Sequence, residues 1–426
     1  MSHDMTLGAP LDELFPAARQ SGRAGVIARQ CTSDWRQVQP GDVFVAVVAD
    51  DDDGHDHVST AVKRGAVAVV AEQLVPALSV PVYVVEDSRT AYGELCHAVL
   101  GHPSRQLRVV GVIGDSGKST VIALLESIFT KAGCDVGVLS TLSSYDGQSF
   151  GLGIPKAMSP AALAARLAHM EAAGCTHALV ELSSEALCQE KLAGIELDTL
   201  VATRVDSARL DLHHTPENYR QANRRALDYL SPAALAVVDS GDAVANRWLA
   251  TLDAPSLTYG LDDEDAQITA DIVTRNACET IFVLAAGCES AAVRTTIVGD
   301  AHVSNCLAAA AVALAHGVDL ETIAAGLEGV DRLAARMERV DCGQDFALFV
   351  DAAQTAPALQ ATLRSARQLA RGRVICVLGA LPTAPAEATT VRSIVERMAD
   401  LTIVTDAVQV DSNWPMPAAD ASDFQV

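Results

Sequence analysis

With 426 residues, half of them hydrophobic and a fifth charged, the chain is too apolar for a disordered segment and too long for one ordinary core, so two or three domains are expected. Its 31 lysines and arginines against 54 aspartates and glutamates give a net charge of −23, a field that repels nucleic-acid backbones and anionic lipid surfaces. The start MSHDMTLGAPLDELF has no basic stretch followed by an apolar core, and the longest apolar run, 306–315, is about half of what a membrane-spanning helix needs. The ten cysteines are scattered without a C-x-x-C pair and read as free thiols of a reducing compartment. A soluble, cytoplasmic, monomeric protein with no nucleic-acid or membrane partner is expected.

In chain order, short β-branched runs at 43–47 and 67–70 mark a first region, 1–108. A second, 109–332, opens with the continuous apolar run Val109-Val110-Gly111-Val112-Ile113, as a strand buried on both faces requires. Strand candidates follow at 178–180 and 235–238, then an alanine-rich helix at 305–316 capped by Gly317. A third region, 333–426, holds strand candidates at 347–350, 374–378 and 401–404, with helices expected over 357–371 and 390–400. Strands alternating with helices predict an α/β fold with parallel sheets.

The strongest local signal is Gly114-Asp115-Ser116-Gly117-Lys118-Ser119-Thr120, set between that buried strand and a helix. The helix has apolar positions Val121, Ile122, Leu124, Leu125, Ile128 and Phe129, which fall on one stripe of a 3.6-residue period. Glycines let backbone N–H groups turn around an anion, and the helix start adds its positive dipole end. Lys118 then reaches terminal phosphates, and the Ser119 hydroxyl serves as an Mg²⁺ ligand. The loop is one residue shorter than the eight-residue Walker pattern. Glu181 ends an apolar strand, where a second metal ligand belongs, although a carboxylate there can equally cap the next helix.

With Glu181-Leu182-Ser183-Ser184-Glu185-Ala186-Leu187 and Leu210-Asp211-Leu212-His213-His214-Thr215-Pro216 added, the chain resembles the Mur ligases, and most of all the MurE type. Other motifs follow the family's order: Thr32-Ser33-Asp34-Trp35-Arg36, Asp53-Gly54-His55, His302-Val303-Ser304-Asn305, Arg336-Met337-Glu338 and Val350-Asp351-Ala352. The likeness covers roughly residues 25 to 410. It implies three domains: an N-terminal UDP-substrate domain, a central ATP-binding P-loop domain with a parallel sheet, and a shortened Rossmann-like C-terminal domain. It also implies ATP and Mg²⁺ as cofactors, and a UDP-muramoyl peptide or related carboxylate as substrate. By position, Ser33, Asp34 and Arg36 then lie near the UDP. Ser159 and Ser183 lie on the substrate side, His302 and Asn305 at the adenine, Arg336 and Asp351 at the ribose, and Ser119 and Glu181 at the metal.

The departures from the family concentrate on chemistry. Its metal-binding histidine is here Arg209, and a guanidinium cannot ligate Mg²⁺. Its carbamylated lysine is Asn223, its S-S-H histidine is Glu185, and its A-H-T-P histidine is Gln354. Met158-Ser159-Pro160 stands for Thr-Thr-Pro, and no D-N-P-R clamp follows Asp406. Phosphoryl transfer depends on positioning and charge neutralisation, and one preorganised electrostatic group is worth about 10² to 10³ in rate. An ATP-binding Mur-ligase relative with ligation weakened or lost is therefore expected. The alternative is an active amide ligase with rearranged ligands, in which Lys118, Arg209 and His213 act on the phosphates and metal.

Two other signals carry less. The run Asp50-Asp51-Asp52-Asp53-Gly54-His55-Asp56-His57 lacks a calcium-loop ladder and reads as a solvated acidic turn. Ser183-Ser184 has no histidine close by in sequence, so a hydrolase triad is not expected.

Overall fold

The computed structural model describes residues 8–405 except 50–51, 76–78, 155–157, 206–209, 253, 262, 264, 354 and 380–384. It shows an α/β fold built on one large sheet. Eleven strands run in the order Phe150–Leu152, Ser143–Tyr145, Val136–Leu139, His177–Glu181, Arg108–Ile113, Leu197–Ala202, Leu230–Asp239, Ser256–Leu261, Ile268–Arg275, Thr280–Ala286, Glu289–Thr295. Seven of these, from Val136–Leu139 to Ile268–Arg275, are mutually parallel. The two flanks are antiparallel, so the sheet is mixed, with the parallel strands that alternation predicts at its centre. Short hairpins explain the difference: Ala286 pairs with Glu289 across a two-residue turn, and no crossover helix fits there.

The parallel centre is buried on both faces. Along Arg108–Ile113, Val110 and Val112 enter one core while Val109 and Ile113 enter the other, as a two-residue period dictates. The first core is covered by helices Lys118–Lys131, Asp300–Ala315 and Leu320–Glu328. All six apolar stripe positions of helix Lys118–Lys131 are buried there. Burying side chains of this size stabilises by about 1.5–3 kcal/mol each. Gly326 is needed for close helix approach, since a Cβ there would lie 2.6 Å from the Ile128 Cα. Helix Asp300–Ala315 begins five residues before the expected start. His302 and Val303 join its buried face, and the left-handed Gly317 lies just past the end.

Toward the N-terminus, a five-stranded sheet runs Arg19–Ser21, Val82–Val84, Ala68–Ala71, Val43–Val45, Cys31–Thr32, with only the first pair antiparallel. Helix Ser88–Val99 packs against it, and Tyr83, Leu95 and Val45 share its core. Toward the C-terminus, strands Ile375–Leu378 and Leu401–Val404 pair in parallel, with helices Ala356–Leu369 and Pro385–Met398 against them. A hairpin of Glu338–Val340 with Leu348–Val350 precedes them. No helix among the described residues is long and apolar enough to cross a membrane.

Candidate nucleotide site

The loop that leaves strand Arg108–Ile113 is shaped by two glycines that no other residue replaces cheaply. Gly114 sits at φ +133° and Gly117 at φ +86°, and Cβ atoms there would meet Thr203 Oγ1 at 2.1 Å and Asn305 Oδ1 at 2.3 Å. The loop is pinned from outside: the Asp115 N–H donates to the Arg204 carbonyl (2.7 Å), and Thr203 Oγ1 donates to the Ser116 carbonyl (2.7 Å). Gly117 then caps helix Lys118–Lys131, so the helix start faces the loop's hollow. Lys118 Nζ donates to its own loop's Gly114 carbonyl at 2.7 Å, and Thr120 is buried behind it.

Glu181, at the end of its strand, receives four donors on one oxygen. They are Ser119 Oγ (2.9 Å), Ser140 Oγ (2.9 Å), Thr141 N–H (2.8 Å) and Thr141 Oγ1 (2.9 Å). Burial alone would raise its carboxyl, but the Lys118 charge and the Thr141 and Ser140 hydrogen bonds outweigh that, and it stays below the usual carboxylate range. An anionic carboxylate beside a hydroxyl is a hard oxygen donor pair of the kind Mg²⁺ takes.

These groups line a cleft of about 500 Å³ whose other wall comes from the C-terminal third: Arg336, Met337, Asp351, Thr355, Thr362 and Ser365. Arg336 is presented by left-handed neighbours, Ala335 (φ 51°) and Met337 (φ 44°). Asp351 fixes that turn by accepting from the Met337 N–H (2.9 Å) and Thr362 Oγ1 (3.0 Å). On the near wall, Asn305 lies against Gly117, and His302 is 5% exposed. His302 Nε2 is within 3.0 Å of Thr295 Oγ1, whereas its buried Nδ1 has no hydrogen-bond partner among the described residues.

The structure thus brings together Gly114, Asp115, Ser116, Gly117, Lys118, Ser119, Thr120, Glu181, Ser183, His302, Asn305, Arg336 and Asp351 around one cleft. It does not bring in Ser33, Asp34, Arg36 or Ser159. Asp34 lies beyond the N-terminal sheet, where the Arg36 N–H and the Gln37 amide hold its carboxyl below the usual range. Ser159 caps helix Pro160–Ala172 by accepting from the Ala162 N–H. Ser183 has a capping role besides, on helix Ser184–Cys188. Arg209, Gln354 and Asp406 lie outside the described residues, as does the side chain of Asp211.

Sequence reasoning missed three groups. Thr141 and Ser140 follow strand Val136–Leu139, beside Glu181's own strand, where the rule that sites gather at strand C-terminal ends would have found them. The third is Ser184, which lines the cleft with its Oγ 2.9 Å from Nε2 of the expected residue His213. Those residues are 29 apart, so local spacing gave no signal. His213 is buried against Tyr219 while its neighbour His214 is exposed at φ 64°. The acidic turn is structural among its described residues, with Asp53 accepting from the His55 N–H.

The Mur ligase middle-domain model matches residues 112–313, and the Mur ligase glutamate ligase domain model matches 335–424. The UDP-N-acetylmuramoyl-L-alanyl-D-glutamate–2,6-diaminopimelate ligase of Geobacillus kaustophilus is 35% identical over 364 residues, covering 84% of this chain and 74% of that protein. This chain belongs to the Mur ligase family. The UDP-N-acetylmuramyl-tripeptide synthetase of a Roseiflexus species is 35% identical over 394 residues, 88% of this chain and 77% of its own. The MurE-type likeness read from the motifs therefore holds among curated relatives. Among solved structures, a UDP-N-acetylmuramoyl-L-alanyl-D-glutamate–2,6-diaminopimelate ligase superposes with a TM-score of 0.74 at 22% identity, covering 93% of this chain and 82% of that one. The MurF ligase of Thermotoga maritima in complex with ADP gives 0.61 at 21% identity, covering 88% and 84%. Both share the Mur ligase fold.

Proposed function

We propose that this Mur ligase homologue binds ATP with Mg²⁺ in the cleft at 114–120 and takes a UDP-muramoyl peptide or related carboxylate in the cytoplasm, with amide ligation weakened or lost. In this reading the loop N–H groups and Lys118 hold the phosphates, and Ser119 and Glu181 hold a cation. Asn305 and His302 face the base, while Arg336 and Asp351 close from the C-terminal wall on the ribose side. ATP supplies a phosphoryl group that activates a carboxylate toward an amine. Lys118, now turned onto Gly114, would swing to the terminal phosphates.

The observation that carries the loss is Asn223. It is 1% exposed, and its amide Nδ2 donates to the Tyr219 carbonyl at 2.9 Å. It occupies the place of the carbamylated lysine in the family pattern, but an amide forms no carbamate and this one is spent on its own helix. Arg209 adds a cation where the family pattern has a metal ligand. The alternative, an active ligase with rearranged ligands, is favoured by the intact Ser119–Glu181 pair and by the Ser184–His213 contact in the cleft.

One experiment separates them. Protein is given ATP, Mg²⁺, UDP-muramoyl dipeptide and a pool of amino acids, and phosphate release and product mass are followed. ATP binding with little or no amide product is expected. Amide product at a useful rate overturns the loss, and absence of ATP binding overturns both readings.

A further inference from the structure

Cys31 and Cys96 are remote from the nucleotide cleft and bring their sulfur atoms within 3.7 Å of each other. Theirs is the one thiol–thiol contact among the described residues, and both cysteines are free. Cys31 lies on strand Cys31–Thr32 and is half-buried, whereas Cys96 lies on helix Ser88–Val99 at 2% exposure. A disulfide needs sulfurs about 2.05 Å apart, so closure brings the two about 1.6 Å nearer. The same helix holds the next stretch of chain through a second contact. Tyr92, one turn before Cys96, has its hydroxyl near the Ser33 side chain. Beyond it, the Asp34 N–H donates to Thr32 Oγ1 and the Arg36 N–H to the Asp34 carboxylate.

We propose that Cys31 and Cys96 are a site of reversible disulfide formation that staples residues 32–36 to helix Ser88–Val99. The oxidant is a low-molecular-weight disulfide. The Cys31 thiolate, on the side open to solvent, attacks one of its sulfurs and expels a thiolate. The Cys96 thiolate then attacks the Cys31 sulfur of the mixed disulfide and expels the remaining half. Two S–H bonds are lost and one S–S bond forms, while the oxidant's S–S bond becomes two thiols. The Cys96 hydrogen bond first, then burial and the Asp42 charge, hold Cys31 in its thiol form. Exchange is therefore slow at neutral pH and accelerates as pH rises. The stapled segment is the one read as the UDP side of the substrate site, so any consequence for substrate rests on the proposed function.

The test treats the folded full chain with oxidised glutathione, alkylates what stays free, and maps peptides. A Cys31–Cys96 cross-link, reversed by dithiothreitol and absent from Cys96→Ser, is expected. Hydrogen exchange across 32–36 should slow in the cross-linked protein, and its affinity for UDP should shift by about five-fold or more. The proposal is overturned if Cys31 and Cys96 both stay alkylatable while the exposed Cys188, Cys278, Cys288 and Cys342 are oxidised. A cross-link that leaves exchange at 32–36 unchanged overturns the staple. If the reduced chain binds no UDP, the substrate reading fails, and mapping with hydrogen exchange still decides the disulfide.

Discussion

The Ser119 hydroxyl lies 2.9 Å from Glu181 Oε2 although 62 residues separate them, one at the start of the helix after the phosphate loop and the other at the end of its strand. Four donors on one carboxylate oxygen exceed its two lone pairs, so a cation arriving there would displace some of them and take hydroxyl oxygens as ligands. Glu181→Gln removes the anion and keeps the shape. Removing even an outer partner of a metal ligand costs about 10–100-fold in affinity, so the Mg²⁺-dependent gain in ATP affinity should fall at least ~10-fold. Titrating ATP with Mg²⁺ and with EDTA, in parent and variant, measures it. An unchanged gain would place the metal elsewhere.

Lys118→Ala should weaken ATP binding by about 100-fold, some 2.7 kcal/mol, because it removes the one side-chain cation of the loop. Nζ is engaged with the Gly114 carbonyl, so the substitution also removes one internal hydrogen bond, worth about 1 kcal/mol. Calorimetric titration and a melting curve separate the two effects. Equal losses of stability and affinity would mean that Lys118 is only a structural clasp.

Gly117→Ala tests the loop's shape. The position needs φ +86°, and the new methyl would lie 2.3 Å from Asn305 Oδ1. A left-handed alanine costs about 1–2 kcal/mol, and Asn305 must also move away from the cleft. A lower melting temperature together with weaker ATP binding is expected. Asn305→Ala in the same background should recover part of the stability, by relieving the clash, but not the affinity.

Much of this was legible in the sequence, because the phosphate loop is local. Its glycines, lysine and apolar stripe lie within residues 114–129, the turn and helix of one strand–turn–helix unit. Glu181 could be placed because a carboxylate at a strand end has a known position in a parallel sheet. The Ser184–His213 contact and the donors Ser140 and Thr141 were not legible. They depend on which strands become neighbours and on how a distant segment packs back, neither of which leaves a spacing in the chain. The antiparallel flank at 268–295 was missed for a related reason. Its strands are joined by short hairpins, and which strands pair across such turns leaves no spacing in the chain.

Acid should destabilise the fold through its buried histidines. Burial, with the His102 charge, lowers His97 to about 3. Burial with Arg108 lowers His177 to about 4, and burial with His177 and Arg108 does the same for His316. Burial alone brings His302 to about 4. These rings are neutral in the fold but titrate near 6.5 when unfolded, so the unfolded chain takes up protons first. Their contribution is full above about pH 6.5 and is lost as pH falls toward 4, at no more than about 1.4 kcal/mol per pH unit for each ring. His177 stacks on Phe129 at 4.5 Å and its Nε2 has no hydrogen-bond partner. His177→Gln should therefore make stability less steep between pH 6.5 and 4. Urea unfolding across that range measures it, and an unchanged slope would show that His177 is already protonated in the fold.

Asn223 offers the sharpest test of the proposed loss of ligation. Asn223→Lys alone puts an ammonium into a site 1% exposed and removes the bond to the Tyr219 carbonyl, so a less stable protein with no more amide product than the parent is expected. Arg209→His restores the histidine of the family pattern, and in the double variant bicarbonate can convert the lysine's amine to an anionic carbamate. The double variant, assayed with bicarbonate, ATP, Mg²⁺ and UDP-muramoyl dipeptide, should then form amide about 10²-fold faster than the parent, the value of one restored electrostatic group. Product mass and phosphate release against time measure it. A parent as fast as the double variant would show that Ser184, His213 or Glu185 already supplies what positions 209 and 223 have given up.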